Sequence, residues 1–266
     1  MKQKVDYLYD GSFEGFLTCV HSHYYEERAA GIYPAGGYQS SLVFPNRVVV
    51  TDAQKAEAVY DAIEAKISRQ ALQRTYHIFL SSDPEKDNIA FRYLCLGFRL
   101  GGKIFSLHSD PIVFAAQQTE RKVSLEVHRL MGLIRFSVLQ MVPEGDAVLP
   151  CVDSRGMRPP EILYAKLQPD HDVLELLGEH FSDRFKNEPF ILHDERRRKA
   201  LFSQQGNWYI APLDPRALPE YSKEEKEYRR LWKQYFESIA IEERKNPKCQ
   251  KRFMPVRYWK NLTEMN

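Results

Sequence analysis

At Ile134 the spacing of apolar residues along this chain changes from near 3.6 to near 2, and no other feature limits its possible folds as much. From residue 52 to residue 133 apolar side chains recur at helical intervals with short connections. After Ile134 come IRFSVLQMV, EILYAKLQ, PFILHD, KALFSQ and NWYIAP, each short and patterned as a strand. One helix interrupts them, DHDVLELLGEHFSDRF, with Val173, Leu174, Leu177, Phe181 and Phe185 on one stripe and Pro169-Asp170 as its start signal. With a polar turn near Glu144 to Asp146 and a QGN turn at Gln205 to Asn207, this order predicts antiparallel hairpins around a helix, not a doubly wound sheet.

The amino-terminal side is mostly helical. YLYDGSFEGFLTCVHSHYYEE reads as a short strand, a DGS turn and a helix that presents Phe13, Phe16, Leu17, Val20 and Tyr24 on one face, capped by Ser12 or Asp10. A loop with Gly31, Pro34, Gly36 and Gly37 follows, then a β-type run from Arg47 to Thr51. Thr51 with Gln54 fits a capping box for the next helix, whose buried stripe is Ala56, Val59, Tyr60, Ile63 and Ile67. ALQRTYHIFL, EKDNIAFRYLCLGFRLG and residues 120–131 add three more helices. At the carboxyl end a helix starts at Ser222, completes a capping box with Glu225, packs Tyr228, Leu231, Trp232, Tyr235 and Ile239, and stops near Asn246-Pro247. The expected class is α+β: a helical amino-terminal layer with a short sheet (1–119), an antiparallel sheet with a packed helix (120–221), and a carboxyl-terminal helix with a basic tail (222–266), all in one compact body.

With 43% hydrophobic residues over 266 positions the chain has the means to bury a core. No stretch approaches the roughly 20 apolar residues of a membrane span, and MKQKVDYLYDGSF lacks the apolar core of a secretory signal. A soluble, cytoplasmic protein with no membrane partner is expected. Cys19, Cys95, Cys151 and Cys249 are scattered, with no close pair, which fits a reducing compartment and argues against a local zinc or iron–sulfur site. Neither GxGxxG nor GxxxxGK[ST] occurs, nor do GxSxG or HExxH, so the sequence supports no nucleotide cofactor, no metal and no readily recognised hydrolase.

Charge is unevenly placed. The net is −1 over residues 1–119, −2 over 120–221 and +5 over 222–266, and residues 244–260 hold seven Lys or Arg and no acid. There Arg244, Lys245, Lys248, Lys251, Arg252, Arg257 and Lys260 alternate with Phe253, Tyr258 and Trp259, cations for phosphates beside flat rings for bases. The other reading of this tract is that Phe253, Met254, Val256, Tyr258 and Trp259 anchor the tail while its cations are solvated or meet an acidic protein surface. A second polar cluster comprises His171, Asp172, His180, Arg184, His193, Asp194 and Arg196, Arg197, Arg198. His180 and Arg184 share a helix face at a spacing of four. If that helix crosses the strand ending at His193-Asp194, an imidazole, a carboxylate and a guanidinium converge on a phosphate-sized site. If it does not, the same residues serve as ordinary ion pairs and turn formers.

Three long runs carry a family resemblance: VHRLMGLIRFSVLQ, EILYAKLQPDHDVLELLGEHFSDRFKNEPFILHDERRRKALF and LWKQYFESIAIEERKNPKCQKRFMPVRYWKNLTE. With the opening YDGSFEGFLTCV they resemble, over essentially the whole chain, a bacterial family of unknown function described as proteins of DNA metabolism or DNA repair. The resemblance implies a radical SAM protein as partner, and a uracil-DNA glycosylase-like protein as a further associate. It transfers no catalytic residue, and a cluster-binding cysteine triplet is absent. The leading expectation is a DNA-binding protein that supports repair or modification, holding the strand through Arg244, Lys245, Lys248, Lys251, Arg252, Arg257, Tyr258 and Trp259, with Arg184, Arg196, Arg197 and Arg198 adding phosphate contacts. One alternative is a hydrolase or glycosylase-like enzyme with His180 or His193 as acid/base and Asp194 orienting the imidazole. Another is an adaptor that docks on its partner through the basic tail.

Overall fold

The opening strand forms as β1 (Val5–Tyr9), buried along its whole length. It lies at the centre of a three-stranded parallel sheet, between β2 (Ala29–Pro34) and β3 (Asn46–Val48). The computed structural model describes residues 4–40, 42–139, 162–214, 221 and 223–265. They divide into two units, 1–125 and 126–266.

In the first unit β2 departs from the sequence reading, which took this stretch for loop. Ladder pairing with β1 satisfies its backbone and overrides the weak strand preference of Gly31 and Pro34. α1 (Phe13–Tyr25) opens on Ser12, whose hydroxyl accepts from the Gly15 N–H, and buries Phe16, Leu17, Cys19 and Val20. α2 (Ala53–Lys66) is capped by Asp52, not by Thr51. The Asp52 carboxylate accepts from the N–H groups of Gln54 and Lys55, while the Thr51 hydroxyl donates to Asp10. α3 (Arg69–Phe79), α4 (Lys86–Leu100) and α5 (Pro111–Leu133) follow, the last beginning well before residue 120. Buried polar bonds tie helix to sheet: the Tyr9 hydroxyl donates to Asp87 at 2.9 Å, and the Ile32 N–H donates to Asn88 Oδ1 at 3.1 Å.

The second unit is built on a five-stranded sheet in chain order, β4 (Ser137–Leu139), β5 (Ile162–Leu167), β6 (Phe190–Asp194), β7 (Lys199–Gln204) and β8 (Asn207–Pro212). The class is α+β, but the sheet is mixed where antiparallel pairing was expected. α6 (Leu174–Arg184) carries the chain back to the starting end of β5, so β5 and β6 run parallel, while every other pair is antiparallel. α6 starts after Val173, which offers no side-chain cap, and Asp170 binds Arg196 and Arg257 instead of capping it. Its close seat on the sheet depends on Gly178, where a Cβ would stand 2.7 Å from Leu201 Cδ1 and 2.9 Å from the Trp208 ring.

α7 (Lys223–Ile239) carries its expected apolar stripe, but the stripe is not packed: Tyr228 is 72% exposed and Leu231, Tyr235 and Ile239 are each more than half exposed. The helix is held instead by its polar neighbours, Glu225 accepting from the Val138 N–H and Arg229 donating to the Ser137 hydroxyl. It ends at Ile239, short of Asn246-Pro247. Pro247 opens a new helix, α8 (Pro247–Phe253), capped by Asn246. Two 3-10 turns, Val256–Asn261 and Thr263–Met265, follow. Cys19, Cys95 and Cys249 are free thiols. Among the described residues no helix is long and apolar enough to cross a membrane. Cys151, the turn expected near Glu144 to Asp146 and Ser222 lie outside the described residues.

Candidate anion-binding cleft

Successive side chains of a strand point to opposite faces, and this alternation decides where the polar residues of the second unit go. Leu192 and Asp194 share the face covered by α6, against which Phe181 meets Phe190 and Ser182 meets Ser203. Ile191 and His193 point to the other face, with Tyr164 and Lys166 of β5. His193 and Asp194 are therefore separated by the sheet, and Asp194 does not orient the His193 imidazole. Its carboxylate is fully buried and takes the Arg196 and Arg197 N–H groups and the Arg197 guanidinium, the last at 2.8 Å. His180 lies on α6 against Phe181, and Arg184 is exposed over the Phe185 ring. The convergence of His180, Arg184 and Asp194 does not form.

His193 is bonded elsewhere: its Nδ1 and the Tyr164 hydroxyl share a hydrogen bond of 2.7 Å, and its buried Nε2 has no hydrogen-bond partner among the described residues. Burial holds the His193 imidazole below its ordinary range, against the attraction of Glu195, and burial likewise raises the Tyr164 phenol. Both groups are uncharged at neutral pH.

Tyr164 forms part of the wall of a cleft of about 260 Å³, together with Arg135, Ser137, Lys166, Tyr221, Arg229, Lys233, Lys260, Asn261 and Thr263. Five of these ten residues are cationic and none is a carboxylate. The cations are set in place from outside the cleft. Arg135 donates to both oxygens of Glu264, at 2.7 Å for the shortest bond. Burial is the largest single influence on the Glu264 carboxyl and works to raise it, but the Arg135 hydrogen bonds and charge, a backbone hydrogen bond and the bond from Trp232 together hold it below the usual carboxylate range. Arg229 is fixed by Glu225 at 3.2 Å, by the Ser137 hydroxyl at 2.9 Å and by stacking 4.4 Å above the Tyr221 ring. Lys166 lies 3.5 Å from Glu195, and Lys260 donates to Gln168. Lys233 forms no ion pair among the described residues. Preset cations around a polar concavity bind an anion at little ordering cost.

The basic tail divides in two. Lys248, Lys251 and Arg252 of α8 are exposed, Arg252 lying over an exposed Phe253, and Arg244 and Lys245 before them are exposed as well. Beyond α8 Tyr258 and Leu262 are buried and their neighbours are bonded to the body of the unit. The Tyr258 hydroxyl donates to buried Glu126 at 2.6 Å, Arg257 donates to Glu126 and Asp170, and Trp259 Nε1 donates to the Met254 carbonyl. Arg257, Tyr258 and Trp259 thus anchor the tail, with Tyr258 buried and Arg257 still half-exposed. Of the arginine run, Arg196 and Arg198 are exposed, whereas Arg197 is tied to Asp194 and to the carbonyls of Pro169 and Asp170. Arg135, Lys166, Arg229 and Lys233 were not singled out from the sequence. A signal existed for the last two, which are four apart on one helix face beside the apolar stripe.

Among the described residues no group of three His, Cys, Asp or Glu is placed to hold a metal ion. A family model described as a domain of unknown function, DUF4130, matches residues 84–264, a stretch that includes the cleft and the tail. No curated protein and no solved structure matches the chain.

Proposed function

This chain belongs to the family of the domain of unknown function DUF4130, and from its cleft we propose that it is a DNA-binding protein of DNA metabolism. The observation that carries the reading is a concavity lined by five cations with no carboxylate in its wall. Such a surface attracts phosphates before any specific contact forms, and each neutralised phosphate releases condensed counterions. The exposed cations of α8 extend the same field. Work beside a radical SAM protein in repair or modification is what the family resemblance adds to this reading.

A salt series tests it. Binding to labelled DNA should weaken with a log–log slope of about −0.7 to −0.9 per phosphate contact, and Lys233→Glu should flatten that slope by about 1 while thermal stability is unchanged. The same affinity and slope in Lys233→Glu would remove the cleft from the interface. A second reading, an adaptor for a protein partner, is favoured by the exposed stripe of α7, which with Phe136 and Val138 lines an apolar groove. Partner capture that survives nuclease treatment and is lost in Leu231→Ser/Tyr235→Ser would select it.

A further inference from the structure

The sheet face that carries Tyr164 and His193 continues beyond the cleft. Across the five strands, Ser137 pairs with Tyr164, Tyr164 with Ile191, Ile191 with Phe202 and Phe202 with Tyr209, so these five residues form one row on the face opposite α6. The row begins in the cationic cleft, whose wall includes Ser137 and Tyr164. It ends on an aromatic pair: Phe202 and Tyr209 are stacked with ring centroids 5.4 Å apart and planes 18° from parallel. Tyr209 is 62% exposed on the edge strand, and the pair borders a hollow of about 390 Å³ floored by Ile162 and Ile191 and rimmed by Gln204 and Asn207.

We propose that this face is a platform for single-stranded nucleic acid, with phosphates held in the cleft and bases stacked on Tyr209 and Phe202. The proposal rests on the DNA-binding reading and names its substrate class. Three strand spacings separate Tyr164 from Tyr209, about 14 Å at roughly 4.8 Å per strand, a span that a few nucleotides of a single strand cover. The two ends are complementary to the two parts of such a strand: fixed cations for its backbone, a flat exposed ring for its unpaired bases. A duplex hides its base faces in its own stack and gives the ring at Tyr209 nothing to stack on. Sheet faces bearing aromatic rings are a general solution to the recognition of unpaired bases. An apolar protein segment would satisfy the rings but not the cations, and a duplex would satisfy the cations but not the rings.

The experiment uses the full chain with labelled oligothymidine and a duplex of equal length, each over a salt series. The single strand should bind more tightly than the duplex. Tyr209→Ala should weaken single-strand binding by about 5- to 150-fold, the equivalent of one lost base–ring stack, with the salt slope and duplex affinity unchanged. Tyr209→Phe should retain the affinity, because the ring and not the hydroxyl makes the contact. Because Tyr209 is 62% exposed, Tyr209→Phe should melt as the parent does and Tyr209→Ala should remain folded, losing no more than its contact with Phe202. Unchanged single-strand affinity in Tyr209→Ala, or a duplex bound as tightly as the single strand, overturns the platform. If Lys233→Glu still flattens the salt slope in that case, the DNA-binding reading stands without it. Absence of binding to either DNA at low salt overturns both.

Discussion

Glu126 shows how far a single residue's role can be from anything its neighbours in sequence suggest. Only 1% exposed, its carboxylate accepts from the N–H groups of Asp170 and His171, at 3.1 and 2.8 Å, and from Tyr258 and Arg257, at 2.6 and 3.1 Å. Four donors converge on one buried anion, so its removal strands all of them. Glu126→Ala should cost about 3–5 kcal/mol and Glu126→Gln about 1–3 kcal/mol, read from the urea midpoint at neutral pH. A loss below about 0.5 kcal/mol in the Ala variant would show that the tail is held by other means. Nothing in VSLEVHRL marks this glutamate, because its partners lie 44 to 132 residues away along the chain. His193 is the opposite case: its separation from Asp194 was legible in the alternation of the strand, but adjacency in sequence suggested partnership.

At the scale of elements, the β7–β8 hairpin tests how well turn chemistry fits backbone geometry. Its two turn residues, Gln205 and Gly206, both have positive φ, 52° and 78°. Glycine accepts that conformation freely, whereas glutamine bears a steric cost that asparagine largely avoids. Gln205→Asn should therefore stabilise the protein by up to about 1 kcal/mol, visible as a raised urea midpoint with an unchanged m-value. A lowered midpoint would mean that the Gln205 side chain contributes more than its backbone costs. The QGN turn and the strands beside it were legible because turn residues and period act locally. The parallel pairing of β5 with β6 was not, since the direction of a strand depends on the path that α6 takes across the sheet. The same limit applies to α7, whose periodicity marks an apolar face without saying whether anything covers it.

For the molecule as a whole, buried and half-buried histidines set a dependence of stability on pH. Burial lowers His23 to about 4, with Arg28 adding to the effect, and burial also lowers His77, His171 and His193. Each binds its proton more readily in the unfolded chain, so unfolding takes up protons as the pH falls. Stability is full above the unfolded value of about 6.5 and is lost progressively as the pH falls from there through the folded values. The urea midpoint should fall between pH 7.5 and pH 5, and His77→Gln should reduce the difference. A midpoint that rises toward pH 5 would contradict the sign of these shifts.

The amino-acid sequence by itself determined the α+β class, the run of helices before Ile134 and the short strands after it, because hydrophobic period and turn chemistry act over a few residues and need no distant partner. It also located the surplus of positive charge near the carboxyl end. Only the tertiary structure decided which of those charges are spent internally, as Arg257 is on Glu126 and Asp170, and which line a cleft, as Arg229 and Lys233 do. It alone gathered Arg135, Lys166 and Lys260 around Tyr164, and it alone aligned Ser137 with Tyr209 across five strands. The physical reason is that a cleft and a cross-strand row are made by pairings between residues far apart in the chain, and the pattern along the chain carries no record of which ones meet.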